Sequence, residues 1–164
     1  MSKIYFIRHA KAVDENKDTP KDFARELSGK GKDDAKFMAA RLKFYGVMPD
    51  VIFSSDAKRC EQTAKRFADT LKFKENITLV HKLYDINFED FLKFVKNIKS
   101  KFREIFIISH NPATTQICEF LSDSSIDNIP TSGIFCIEFD CDLKDISEGC
   151  GRVVFFDHPK KHQN

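Results

Sequence analysis

The chain has 164 residues, a net charge of +2 and 41% hydrophobic against 32% charged residues. That length suits one domain around a single core and leaves too little for two. The composition argues against a disordered or membrane chain, and so small a charge argues against a protein that coats nucleic acid through many phosphate contacts.

The cysteines number five, at 60, 118, 136, 141 and 150. An odd count, with no CxxC pair and no secretory leader, predicts reduced thiols and a cytoplasmic location. No window approaches the roughly 18 apolar residues that cross a bilayer, so no membrane association is expected. The 17 phenylalanines, with no tryptophan, are expected to fill the core.

In chain order, Ile4 to Ile7 reads as a strand buried on both faces that runs directly into Arg8, His9 and Lys11. Ser28 is a helix cap, and Ala35, Met38, Ala39, Leu42 and Tyr45 keep helical spacing up to Gly46. Val51 to Phe53 is a short strand. A second helix follows, with Cys60, Ala64, Phe67, Ala68 and Leu71 on its apolar stripe. Ile77 to Val80 is a strand candidate, and Phe88, Phe91, Leu92, Val95 and Ile98 trace a third helix. Ile105 to Ile108 is the clearest buried strand. Asn111 as cap and Pro112 at the first helical position open a fourth helix. Ile134 to Phe139 and Val153 to Phe156 then read as two strands joined through a turn with glycines at Glu148 to Gly151. Alternating strands and helices predict an α/β layer fold. A single domain is expected over residues 1–158, with a frayed polar tail at 159–164.

Three buried strands end on polar clusters: Arg8-His9, Ser54-Ser55 with Arg59 beyond, and Ser109-His110-Asn111. In open α/β sheets ligands gather at the carboxyl ends of the strands, where helix N-termini add partial positive charge. Two arginines, two histidines and two helix starts at one place suit a dianion such as a phosphoryl group, because guanidinium forks match its oxygens in pairs. Each element alone also has a plain structural role: Arg59 sits where it would be an exposed helix residue beside a Glu61–Lys65 pair.

"FIRHAKA", "FSSDAKRCEQTA" and "IISHNP" resemble, in order and spacing, the three signature blocks of the histidine phosphatase superfamily, also called phosphoglycerate-mutase-like. The short length, "RHAK", "RELSGKG" and "LYDINFEDFL" resemble its SixA-type group, described as phosphohistidine phosphatases. The resemblance implies a three-layer α/β/α sandwich with a mostly parallel central sheet of about six strands. It makes His9 the nucleophile that accepts the phosphoryl group, with Arg8, Arg59 and His110 binding its oxygens. Asp85 matches the general acid by chain order, and is equally well read as a turn or cap residue. Asn111 joins the substrate-binding set, and Lys11 and Arg25 resemble positions on the rim. Ala10 stands where glycine is usual, as in the short group. "KAVDENKD" lacks the pattern of the sugar-phosphate mutases.

A neutral imidazole is a competent nucleophile near pH 7, and cations stabilise the transferring oxygens, so no cofactor or metal is expected. The other nitrogen of His9 should donate to a fixed acceptor, such as a backbone carbonyl. Few residues separate Tyr84 from the third helix, which predicts an open site. An open site favours a phosphorylated protein partner, a phosphotransfer domain or phosphocarrier, over a small metabolite. The favoured activity is removal of a phosphoryl group from a protein phosphohistidine, by a monomer. The alternatives are a small-molecule phosphomonoesterase and a non-catalytic phosphoprotein-binding module.

Overall fold

The computed structural model describes residues 1–16 and 21–163. The end of "KAVDENKD" and Asn164 of the expected tail lie outside them. Six strands are described: β1 (Ser2–Arg8), β2 (Val51–Ser54), β3 (Thr78–Leu79), β4 (Glu104–Ser109), β5 (Ile134–Phe139) and β6 (Arg152–Asp157). They form one sheet in the order β3-β2-β4-β1-β5-β6. β1, β2, β3 and β4 pair in parallel and β5 runs antiparallel to both neighbours, so the sheet is mixed and mostly parallel.

The helices are α1 (Gly29–Phe44), α2 (Lys58–Leu71), α3 (Phe88–Lys96) and α4 (Ala113–Ser122). The strand period of two divides the apolar residues between two cores. Ile4, Phe6, Ile105 and Ile107 face α3 and α4 with Phe91, Val95 and Ile117, while Tyr5, Ile7, Phe106 and Ile108 face α1 and α2 with Met38, Ala64 and Phe67. The result is the expected three-layer sandwich. Burial on both faces is why β1 and β4 read as unbroken apolar runs.

Ser28 caps α1, its hydroxyl accepting from Gly31 N, and its own backbone N–H donates to the Lys11 carbonyl. The first turn of α1 is thereby tied to the chain just beyond His9. Gly31 permits this approach, since a Cβ there would stand 2.0 Å from the Lys11 carbonyl oxygen.

Several local expectations shift. β3 is only Thr78–Leu79, both exposed at the sheet edge. α4 starts at Ala113, with Pro112 at the capping position after a cis Asn111–Pro112 bond. Asn111 Oδ1 still accepts from Thr115 N (3.2 Å) and Thr115 Oγ1 (2.9 Å), so its side chain does the satisfying work from one residue further out. Lys65 pairs with Asp69 rather than Glu61. The tail is docked and not frayed: Pro159–His162 make a 3-10 turn, Pro159 is buried, and His162 pairs with Asp157.

Among the described residues, no helix is long and apolar enough to cross a membrane.

Candidate active site

β2, β4 and β1 are adjacent and parallel, so their carboxyl ends meet side by side. Backbone bonds join the three ends: His9 N donates to Ser109 O (3.2 Å) and Ser55 N to Ile108 O (3.0 Å). α2 and α4 start just beyond β2 and β4, which brings their positive dipole ends to the same edge. The polar clusters after three separate strands become one cluster.

The rings of His9 and His110 lie 5.3 Å apart. Each residue is only 8% exposed. His9 Nδ1 donates to the carbonyl of Ala10 (2.8 Å), the backbone acceptor expected for it. This leaves the lone pair on Nε2. Arg59 Nη2 donates to His110 Nδ1 (3.2 Å), so a neutral His110 carries its proton on Nε2, which donates to Ser55 Oγ (2.8 Å).

Both rings are held neutral. Burial is the main reason, and the cations beside them add to it. His9 is pushed down to about 3, the Ala10 hydrogen bond opposing and His110, Arg59 and Arg8 assisting. His110 is pushed down to about 4, chiefly by burial and then by Arg59. Burial, together with the Arg59 charge, also lowers Arg8.

Arg59 is buried on α2 and not on an exposed helix face. Its Nη1 donates to the carbonyl of Asp22 (2.8 Å) and its Nη2 pairs with Asp22 Oδ2 (3.1 Å). Arg8 Nη1 donates to Ile129 O (2.9 Å). The Nε atoms of Arg8 and Arg59 are buried without an acceptor among the described residues.

The remaining expected residues fall in three places. Asn111 is at the cluster's edge, its Nδ2 donating to Ile129 O (2.9 Å), the carbonyl that also receives Arg8. Arg25 joins the cluster through Asp22, donating Nε to Oδ1 (3.1 Å) and Nη1 to Val13 O (3.0 Å). The Lys11 side chain is exposed, and its backbone carbonyl is what anchors Ser28. Asp85 is exposed and lines a separate groove with Lys82, Asp90 and Lys93; no hydrogen bond or ion pair joins it to His9 or His110 among the described residues. Cys60 is fully buried, its Sγ 3.4 Å from His110 Nε2, and burial raises its thiol to about 12 despite Arg59. It packs against the site as an inert thiol.

Sequence reasoning missed Asp22, Tyr84 and Thr63. Asp22 Oδ2 accepts from the Tyr84 hydroxyl (2.7 Å) as well as from Arg59, making it the junction of the outer site. Burial raises its carboxyl, but the Tyr84 hydrogen bond and the Arg59 and Arg25 charges outweigh that and hold it below the usual range. Thr63 accepts from Ala10 N (2.9 Å) and donates to Arg59 O (2.7 Å), coupling the His9 turn to α2. Its signal was present: a polar residue at helical spacing from Arg59 within the stripe of Cys60 and Phe67. Asp22 carried no such mark.

Among the described residues, no group of three or more His, Cys, Asp or Glu is placed to hold a metal ion.

An α/β sandwich whose central strands end on paired histidines and arginines is suited to an enzyme that handles a phosphoryl group. The family model described as the histidine phosphatase superfamily (branch 1) matches residues 4–119, and the chain belongs to that superfamily. No curated protein matches in sequence. Among solved structures the fold is similar to that of a candidate phosphohistidine phosphatase SixA from Agrobacterium tumefaciens, with a TM-score of 0.83, 23% identity, and 96% of this chain and 98% of that chain covered. It is also similar to a protein histidine phosphatase SixA complexed with tungstate (TM-score 0.82, 21% identity, 97% and 98% covered). A phosphoserine phosphatase from Entamoeba histolytica, in complex with 3-phosphoglyceric acid, shares the fold at TM-score 0.68 and 15% identity, with 98% of each chain covered.

Proposed function

We propose that the protein removes the phosphoryl group from a phosphohistidine displayed on another protein, through a phosphorylated His9. The observation that carries this reading is the pairing of two neutral, buried imidazoles with two buried guanidinium groups at the ends of three adjacent strands.

With its Nδ1–H donated to Ala10, His9 presents an Nε2 lone pair, which a lowered pKa keeps unprotonated across the neutral range. That nitrogen attacks phosphorus in line. The bond from phosphorus to the substrate imidazole breaks, its electron pair staying on the leaving nitrogen, which takes a proton from solvent. A water molecule then attacks phospho-His9, loses its proton to bulk and releases orthophosphate, restoring the free ring.

Arg8, Arg59 and His110 hold the phosphoryl oxygens, and Asn111, Lys11 and Arg25 lie on the rim. An uncompensated buried guanidinium donor is costly, and a phosphoryl oxygen is the acceptor that the two Nε groups lack. A dianion between Arg59 and His110 also reverses the penalty on protonating His110, changing its Nδ1 from acceptor to donor. Catalysis is then electrostatic positioning by cations already in place.

Two observations support a protein substrate with an imidazole leaving group. Tyr84 ends a 3-10 turn and α3 starts at Phe88, so no long segment lies between them to roof the site. The two SixA structures are also more similar in fold than the phosphoserine phosphatase. A phosphorus–nitrogen bond needs little acid assistance, so the reaction does not require Asp85, which faces a separate groove.

The test is to trap the phosphorylated protein after a brief incubation with a phosphohistidine-bearing phosphocarrier and to locate the label by mass spectrometry. The label is expected on residue 9 alone, and His9→Ala should take up none and release no phosphate. Label elsewhere, or release that survives His9→Ala, defeats the mechanism; binding without release favours a non-catalytic module.

A further inference from the structure

A run of aromatic rings leads outward from the nucleophile. His9 lies 5.3 Å from His110, which lies 5.6 Å edge-on from Tyr84; Tyr84 lies 4.9 Å edge-on from Phe23 and 6.2 Å from His81, nearly parallel to it. Phe23 and His81 close the outer triangle at 6.0 Å.

Two of the outer rings are held by carboxylates. The Tyr84 hydroxyl donates to Asp22 Oδ2 (2.7 Å), and His81 Nδ1 pairs with the Asp56 carboxylate (2.9 Å). Phe23 sits in the 3-10 turn Asp22–Ala24, none of whose residues is buried, and is itself 37% exposed. A single exposed ring needs no explanation. Three rings in mutual contact, fixed by two carboxylates and continuous with His110, are a preformed wall beside the phosphoryl site.

We propose that Phe23, Tyr84 and His81 form the seat for the group leaving phosphorus, and that they select the planar imidazole of a phosphohistidine over the alkyl oxygen of a phosphoserine. This rests on the functional reading above. In phosphohistidine the ring begins at the atom bonded to phosphorus. A phosphoryl group held by Arg59 and His110 therefore delivers that ring to Tyr84, whose own ring touches His110. Edge-to-face and offset-stacked contacts then reward a planar π-system, and a departing imidazole that has gained a second proton is a cation drawn to the Phe23 face. In phosphoserine the same space holds a bridging oxygen and a methylene with no π-face.

The experiment compares kcat/KM for two peptides of one sequence, bearing phosphohistidine or phosphoserine, on the full chain. Inhibition by phenylphosphonate and methylphosphonate supplies the same comparison without turnover. Phe23→Leu keeps bulk and apolarity but removes the ring; the preference for the cyclic group is expected to fall about tenfold in both measures. Phe23→Tyr should restore it, and His81→Leu should move it the same way as Phe23→Leu. A Phe23→Leu protein that keeps the wild-type preference, or in which both substrates and both inhibitors decline in parallel, overturns the seat alone. A wild-type protein that releases nothing from phosphohistidine overturns the functional reading and the seat with it.

Discussion

Arg59 is held by Asp22 through two different groups, its Nη1 on the backbone carbonyl at 2.8 Å and its Nη2 on the side-chain carboxylate at 3.1 Å. Asp22 itself is 40% exposed in its side chain, against 7% for Arg59. A half-exposed residue thus sets the direction of a buried cation. Asp22→Ala leaves the backbone bond and the Nη2 bond to His110 but takes the carboxylate from Nη2 and from the Tyr84 hydroxyl, and kcat/KM is expected to fall about tenfold, roughly 1.4 kcal/mol of transition-state binding. Asp22→Asn retains an acceptor and should lose less. Steady-state kinetics on both variants decides it: equal rates in wild type and Asp22→Ala would mean that Arg59 is positioned without the carboxylate.

The lowered histidines make a pH prediction with a definite sign. His9 at about 3 and His110 at about 4 stay neutral in the folded protein when an unfolded chain, titrating near 6.5, has already bound protons. The unfolded state therefore carries more protons between these values, and stability falls as pH is lowered from about 6.5 toward 4. The loss between pH 7 and pH 5 is at most about 2 kcal/mol per ring. Denaturant melts at pH 7 and pH 5 should show it, and His9→Gln combined with His110→Gln should flatten the slope. By the same logic kcat/KM, corrected for substrate ionisation, should show no acid limb near pH 6.5.

Asp85 stands on the exposed turn ahead of α3, facing a groove with Lys82 and Asp90. Asp85→Asn is expected to leave phosphohistidine hydrolysis within about threefold of wild type. Hydrolysis of an alkyl phosphate should likewise stay within about threefold, because a general acid has to come within hydrogen-bond reach of the leaving oxygen and Asp85 faces a separate groove. Phosphate release from the two substrates, measured side by side, checks this; a large loss on the alkyl phosphate would make Asp85 a proton donor after all.

Two glycines of one helix turn should respond oppositely. A Cβ at Gly31 meets the Lys11 carbonyl oxygen at 2.0 Å, whereas a Cβ at Gly29 meets nothing within 4 Å. Gly31→Ala has to push apart α1 and the turn beyond His9, at about 2–3 kcal/mol, or several degrees of Tm. Gly29→Ala should be neutral or stabilising by up to about 1 kcal/mol, through a less flexible unfolded chain. Thermal melts of the two variants give the contrast directly.

The reading from residues alone succeeded where local chemistry and final environment agree. β1 and β4 were legible because strands buried on both faces have no polar alternation to hide them, and α1 because Ser28 and Gly46 mark its ends. β3 shrank to two residues because an exposed edge strand has little apolar pattern to read. At α4 the cap moved by one residue, because Asn111 satisfies Thr115 from outside the helix while Pro112 takes the capping position.

The order of elements, the two-sided burial of the central strands and the basic residues at their ends were determined by sequence, since these follow from the periodicity and chemistry of neighbouring residues. Tertiary structure decided the rest. Whether Arg59 is a surface charge or a buried one depends on Asp22, 37 positions away along the chain, and the state of His9 depends on how deeply it is withdrawn from water and on His110, Arg59 and Arg8 beside it. A pKa and a hydrogen-bond geometry are properties of a local dielectric and of distances, and neither exists until remote segments have packed together.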